Sequence, residues 1–136
     1  MGNFSSIDIS ATGLFAQRSR LDAIANNIAN VNTTRTDEGG PYKRQEVIFR
    51  AHSGKYESGS GGVDVEAVVE SSDPPKMVHD PTNPDANAQG MVAMPNVNVV
   101  EEMVDMISAT RAYEANVQAI NAARQMASKA LEIGRA

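Results

Sequence analysis

The chain has no cysteine and no tryptophan, and only three phenylalanines and three tyrosines in 136 residues. The absence of cysteine excludes a disulfide framework, a thiolate metal site and a cysteine nucleophile. The scarcity of aromatic rings leaves alanine, valine, isoleucine and methionine as the apolar stock. These build narrow helix seams better than a thick core. No stretch approaches the roughly 18 apolar residues of a membrane-spanning helix, and the opening MGNFSSIDIS has neither the basic nor the apolar region of a secretory signal. Positive charge is also short: 12 Lys and Arg against 17 Asp and Glu give a net charge of -5. That argues against a nucleic-acid binder driven by phosphate neutralisation.

Chemistry-bearing patterns are scarce as well. His52 and His79 stand at no metal-ligand spacing. Gly54-Lys55-Tyr56 lacks the glycine and the Ser or Thr of a phosphate loop, and Gly59, Gly61 and Gly62 miss the dinucleotide spacing. Asp80, Asn83, Asp85 and Asn87 are interrupted by Pro81 and Pro84, with no glutamate placed to close a calcium loop. No serine lies in a nucleophile elbow. The sequence therefore predicts no enzyme, no cofactor, no metal site and no small-molecule substrate.

What the chain does have is a three-part organisation. All six prolines and most of the glycines fall between residues 37 and 95, a block with five basic and ten acidic residues, net -5. The flanking blocks, 1–36 and 96–136, are nearly free of helix breakers. In the first, Ile7, Leu14, Leu21 and Ile28 repeat every seven residues, which predicts one helix ending at Asn32-Thr33-Thr34, with Ser5 and Asp8 as a capping box. In the last, Asn98 is placed to cap a 35-residue helix from Val99 to Ile133, with Glu101, Glu102 and Asp105 near its positive end. Its stripe runs through Val100, Met103, Ile107, Tyr113, Val117, Ile120 and Leu131. That length exceeds ordinary globular helices and points to a coiled coil or an assembly. Tyr42–Phe49, Val63–Val69 and Met91–Met94 read as strands, His52–Gly62 as a loop, and the proline-rich Asp73–Pro84 as irregular. The expected class is α+β: two long terminal helices paired as a coiled-coil-like hairpin, with a small β-rich middle domain.

Eleven asparagines are the remaining signal. Asn26, Asn27 and Asn30 lie on the first helix, and Asn116 and Asn121 on the second. Asparagine is a poor helix-interior residue, so its presence there is either a solvated face or a set of amides that fix register across helix contacts. We expect Asn26, Asn30, Asn116 and Asn121 to set register. We expect Ile7, Leu14, Leu21, Ile28, Tyr113, Val117, Ile120 and Leu131 to form apolar seams within and between subunits.

At these residues the sequence resembles a known family. Ala25-Asn-Asn-Ile-Ala-Asn-Val-Asn-Thr-Thr34 is similar to the N-terminal signature of bacterial flagellar rod and hook proteins, and Ser108 to Arg135 to their C-terminal helix. Gly39–Glu46, Asp85–Gly90 and Met94–Ile107 narrow the likeness to the proximal rod, and the short length agrees. The resemblance implies a structural protein of the basal body that polymerises helically, with terminal helices lining an export channel and the middle segment outermost. It implies partners that are copies of itself, other rod subunits, and base-ring and export-gate adaptor proteins. It implies delivery to the periplasmic cell envelope by the flagellar type III system without a cleaved signal peptide, and a role in motility. The alternatives are another rod or hook-type axial protein, or a soluble coiled-coil adaptor.

Overall fold

A computed structural model describes residues 2–52 and 61–134. Two helices, α1 (Gly2–Ala29) and α2 (Val99–Ile133), bracket four strands: β1 (Gln45–His52), β2 (Gly62–Glu70), β3 (Lys76–His79) and β4 (Met91–Met94). The class is α+β, with the long helices paired antiparallel: Gly13 lies opposite Asn116, and Asn27 opposite Glu102. At 1.5 Å per residue the helices run about 42 and 52 Å.

α2 begins where its sequence demands. Asn98 is extended, and its side-chain oxygen accepts the N–H of Val100, satisfying one of the donors that an α-helix start leaves open. α1 starts earlier than the Ser5–Asp8 pattern suggests, at Gly2, and ends at Ala29. Asn30 closes it: its amide donates to the Asn26 carbonyl, and its oxygen accepts the Thr33 hydroxyl.

The helices approach along small and polar side chains. On α1 the buried positions are Ala16, Ala23, Ile24 and Asn27, with Gly13 against Asn116; on α2 they are Glu102, Ala109 and Ala123. Glu102, Ala109 and Ala123 fall on a seven-residue period with Asn116, and Ala16 and Ala23 are seven apart, beside the Leu14, Leu21 and Ile28 series. Gly13 has a steric reason to be glycine. A Cβ there would stand 3.0 Å from the Asn116 amide nitrogen.

β1 and β2 form an antiparallel hairpin with a bulge between Ile48 and Phe49. It lies along α1 rather than apart from it. Thr12 accepts the Val63 N–H through its hydroxyl, and Gly62 comes so close that a Cβ would sit 2.9 Å from that oxygen. The segment between these strands, 53–60, holds most of the predicted His52–Gly62 loop and lies outside the described residues. The proline-rich segment is not wholly irregular, as its composition predicts: Lys76–His79 pairs with Met91–Met94 as a second hairpin. The prolines at 74, 75 and 81 flank this short strand instead of interrupting it, so its ladder loses no donor. Thr34 donates to Asp85 at 2.7 Å and ties this hairpin's connection to the turn after α1.

The buried apolar set among the described residues is small: Ala16, Ala23, Ile24, Val92, Val97, Ala109 and Ala123. Four of these seven are alanine, so the core is thin, as the lack of aromatics requires. No helix among the described residues is long and apolar enough to cross a membrane.

Candidate assembly interface

Three elements meet at one buried polar junction. From α1 comes Asn27, 1% exposed; from α2 comes Glu102, fully buried; from the first residue of β1 and the segment before it come Gln45, Tyr42 and Arg44. Asn27 is fully engaged. Its oxygen accepts from the Gln45 N–H at 2.8 Å and from the Tyr42 hydroxyl at 3.0 Å. Its amide nitrogen donates to the Gln45 carbonyl at 2.9 Å and to Glu102 Oε2 at 3.0 Å. The paired bonds to Gln45 reproduce what a neighbouring strand would supply, so one helix side chain caps the start of the β1 edge.

Arg44 completes the junction. Its Nε donates to Glu102 Oε1 at 2.5 Å, its guanidinium also pairs with Glu46, and Asp105 lies 4.0 Å away. Asp105 is held in turn by Arg20 of α1 at 2.9 Å. Burial works to lower the Arg44 pKa, but the bond and charge of Glu102, with help from Glu46, overcome it and hold the guanidinium above its ordinary value. Burial, then the charges of Glu102 and Glu70, push the Tyr42 phenol upward. No group of three metal-ligating side chains converges among the described residues. The junction positions elements, and a pocket lined by Arg20, Asn27, Arg44, Glu102 and Asp105 opens beside it.

The residues singled out in the sequence fall around this junction in different ways. Ile7, Leu14, Leu21 and Ile28 are half-buried on α1. Tyr113 and Ile120 are half-buried, whereas Val117 and Leu131 are exposed, Leu131 by 72%. Asn116 sits against Gly13 and donates to its own helix at the Ala112 carbonyl. Asn30 ends α1; Asn26 and Asn121 face solvent.

Asn27 stands among the asparagines that drew notice but outside the four expected to set register, and it is the one that bonds across all three elements. Glu102 reads in the sequence as a helix-dipole charge, yet it is the largest fully buried side chain. The available signal was the Tyr42-Lys43-Arg44-Gln45 run, which places a cation and a phenol just before a strand.

The solvent side of the helix pair carries unusual apolar surface. Val100, Met103, Val104 and Ile107 on α2 are each more than half exposed, and so is Phe15 on α1. A lone chain gains nothing from that arrangement; an assembling one does.

Comparison with known proteins agrees. Residues 7–35 match the family model described as flagella basal body rod protein, and residues 88–133 the one described as flagellar basal body rod FlgEFG protein C-terminal. The chain is 48% identical to the flagellar basal-body rod protein FlgC of Borreliella burgdorferi, across 98% of both chains. It is 44% identical to that of Bacillus subtilis, across 99% of this chain and 100% of the relative. With that of Salmonella typhimurium it shares 41% identity across 94% and 95%. Likeness at this level runs from one end of the chain to the other, and the chain belongs to the FlgC family of flagellar basal-body rod proteins.

Proposed function

We propose that this chain is a structural subunit of the proximal flagellar rod, assembling helically with copies of itself and other rod subunits into a drive shaft that carries motor torque. In this reading, residues 1–36 and 96–136 form the inner helical domain around the export channel, and residues 37–95 form the outer domain. The base ring and export-gate adaptors are its partners at the cell-envelope end. It reaches that position through the flagellar type III route.

The observation that carries the reading is the apolar outer face of α2, exposed in a chain of rod-family sequence. Torque transfer needs many lateral contacts in fixed register, and long helices with small side chains supply them. Ile7, Leu14, Leu21, Ile28, Tyr113, Val117, Ile120 and Leu131 are the proposed apolar contacts. Asn26, Asn30, Asn116 and Asn121 are the proposed register contacts. The test is deletion of the chain followed by electron microscopy of purified basal bodies. Loss of the rod, restored by the wild-type chain, is expected. Complete rods in the deletion strain refute the proposal.

A further inference from the structure

The β3–β4 hairpin stands apart from the rest of the fold. It forms its own two-stranded sheet. Among the described residues, neither strand comes within 8 Å, Cα to Cα, of either helix or of the β1–β2 hairpin. β3 is exposed along its whole length. The connection between the two strands is braced from inside. The Asn83 oxygen accepts the Asp85 N–H, and the Asn87 oxygen accepts the N–H groups of Gln89 and Met91. The Asp80 N–H donates to the Gly90 carbonyl and carries the ladder past the strand ends. Residues 76–94 are therefore one stiff unit.

What ties that unit to the remaining chain is narrow. Among the described residues, no backbone hydrogen bond links it to anything outside itself. Asp85 alone in it has a polar side-chain partner outside: its Oδ2 accepts the Thr34 hydroxyl at 2.7 Å, and its Oδ1 lies 3.8 Å from Arg35. The Arg35 side chain is 78% exposed, so that ion pair adds little and the Thr34 bond is the main tie. At its base the unit is joined on one side by residues 72–75, all exposed and including Pro74 and Pro75. On the other side stand Pro95 and Val97, both buried. Ala93 of β4 shares with Thr34, Pro41 and Asp85 a cleft of about 230 Å³ against the turn after α1. Val92 is 1% exposed, so this seat is closed.

We propose that residues 76–94 are a latched arm, which swings as one piece about its Pro95–Val97 base when the bond between Asp85 and Thr34 opens. A few chain residues at an element's end are enough to absorb such a rotation. The helix pair and the Asn27–Glu102–Arg44 junction share no hydrogen bond with the arm, so they keep their geometry as it moves. Opening uncovers the Val92 side of β4 and changes the outline of the subunit without disturbing its helical part.

The chain has no cysteine, so engineered pairs take spin labels cleanly. Glu38, Val68 and Ala88 are exposed. Glu38→Cys with Ala88→Cys spans the turn and the arm, and Glu38→Cys with Val68→Cys spans the turn and β2. Pulsed electron resonance on the purified full chain is expected to give one narrow distance for each pair. Asp85→Ala removes the acceptor of the latch, and Thr34→Val removes its donor at nearly constant volume. Each should raise the open population about tenfold, the effect of losing one hydrogen bond to a charged group. A second, longer 38–88 distance then appears while the 38–68 distance stays single. Asp85→Asn keeps an oxygen for the Thr34 hydroxyl and should retain the wild-type distance; opening as wide as in Asp85→Ala would show that the Thr34 bond is not the latch. An unchanged 38–88 distance in Thr34→Val, or a broad one in the unaltered background, also overturns the latch. A 38–68 distance that spreads together with 38–88 overturns the separate arm.

Discussion

Replacing Arg44 by methionine is expected to cost more stability than replacing Glu102 by methionine, although both changes break the same ion pair. The difference comes from what each leaves behind. Glu102 keeps 1% of its side-chain surface in the folded subunit, and Arg44 keeps 25%. Without Arg44 a carboxylate stays in the interior with the Asn27 amide as its remaining donor. Stranding one member of a buried pair costs about 3–5 kcal/mol. Without Glu102 the guanidinium rehydrates through its exposed part and keeps Glu46 and Asp105 nearby. Asn27 loses one bond and retains those to Gln45 and Tyr42. That change should cost about 1–2 kcal/mol. Replacing both by methionine removes the stranded charge, and apolar substitution of a whole buried pair is often close to neutral. The double variant should therefore be more stable than Arg44→Met alone. The assay is urea unfolding of the purified subunit, followed by circular dichroism at the helix band. With a slope of about 1.5 kcal/mol per molar urea, the gap between the single variants should move the midpoint by about 1 to 2 M. Equal losses in the two single variants, or strictly additive losses in the double, would refute the reasoning.

Other outcomes follow from the same structure. The raised Tyr42 phenol keeps its proton to higher pH in the folded subunit than in the unfolded chain. The stability it contributes is complete below about pH 10 and is lost as pH rises through the raised folded value; urea midpoints at increasing alkalinity should fall, and Tyr42→Phe should flatten that slope. Ala115→Pro, in the middle of α2, removes a helix bond and clashes with the preceding turn at about 3 kcal/mol or more, so the subunit should still be made while swimming on soft agar is abolished; wild-type swimming would exclude a need for a continuous α2. In the isolated subunit, amide exchange should be slowest around Asn27 and Val97–Glu102, where the junction and several buried residues meet, and fastest near Leu131 and Ile133, which are 72 and 78% exposed. Uniform protection along both helices would show that the thin core holds them without partners.

The elements that could be read from the sequence were those whose cause is local. α2 spans Val99–Ile133 behind an Asn98 cap, and Met91–Met94 is a strand, because caps, breakers and periodicity act within a few residues. β1 and β2 were placed to within about three residues for the same reason. The junction was not legible, because its cause is not local. Nothing near Glu102 says that it is buried; that follows from Arg44, 58 residues away, and Asn27, 75 residues away, arriving at one point. The Leu14, Leu21 and Ile28 series is conspicuous, but the buried positions lie beside it, at Ala16, Ala23, Ile24 and Asn27. Large side chains mark a helix face, whereas small ones decide how near two helices come. The β3 strand was hidden by its proline-rich surroundings, since composition does not show that the prolines flank the strand rather than enter it.

The Asn27 amide also has a consequence for the time course of folding. Its bonds to Gln45 close a span of 18 residues, while its bond to Glu102 closes one of 75. Loop-closure entropy makes the longer closure dearer by about 1.3 kcal/mol. The short connection can thus form first, drawing the start of the β1–β2 hairpin onto α1. α2, entering later, meets a surface on which the Asn27 amide and the Arg44 side chain already face the place Glu102 must occupy. A chain emerging N-terminus first would then be committed to one alignment before its last helix arrives. The late step becomes the docking of a carboxylate into a waiting pair of donors, instead of a search among equivalent heptad offsets.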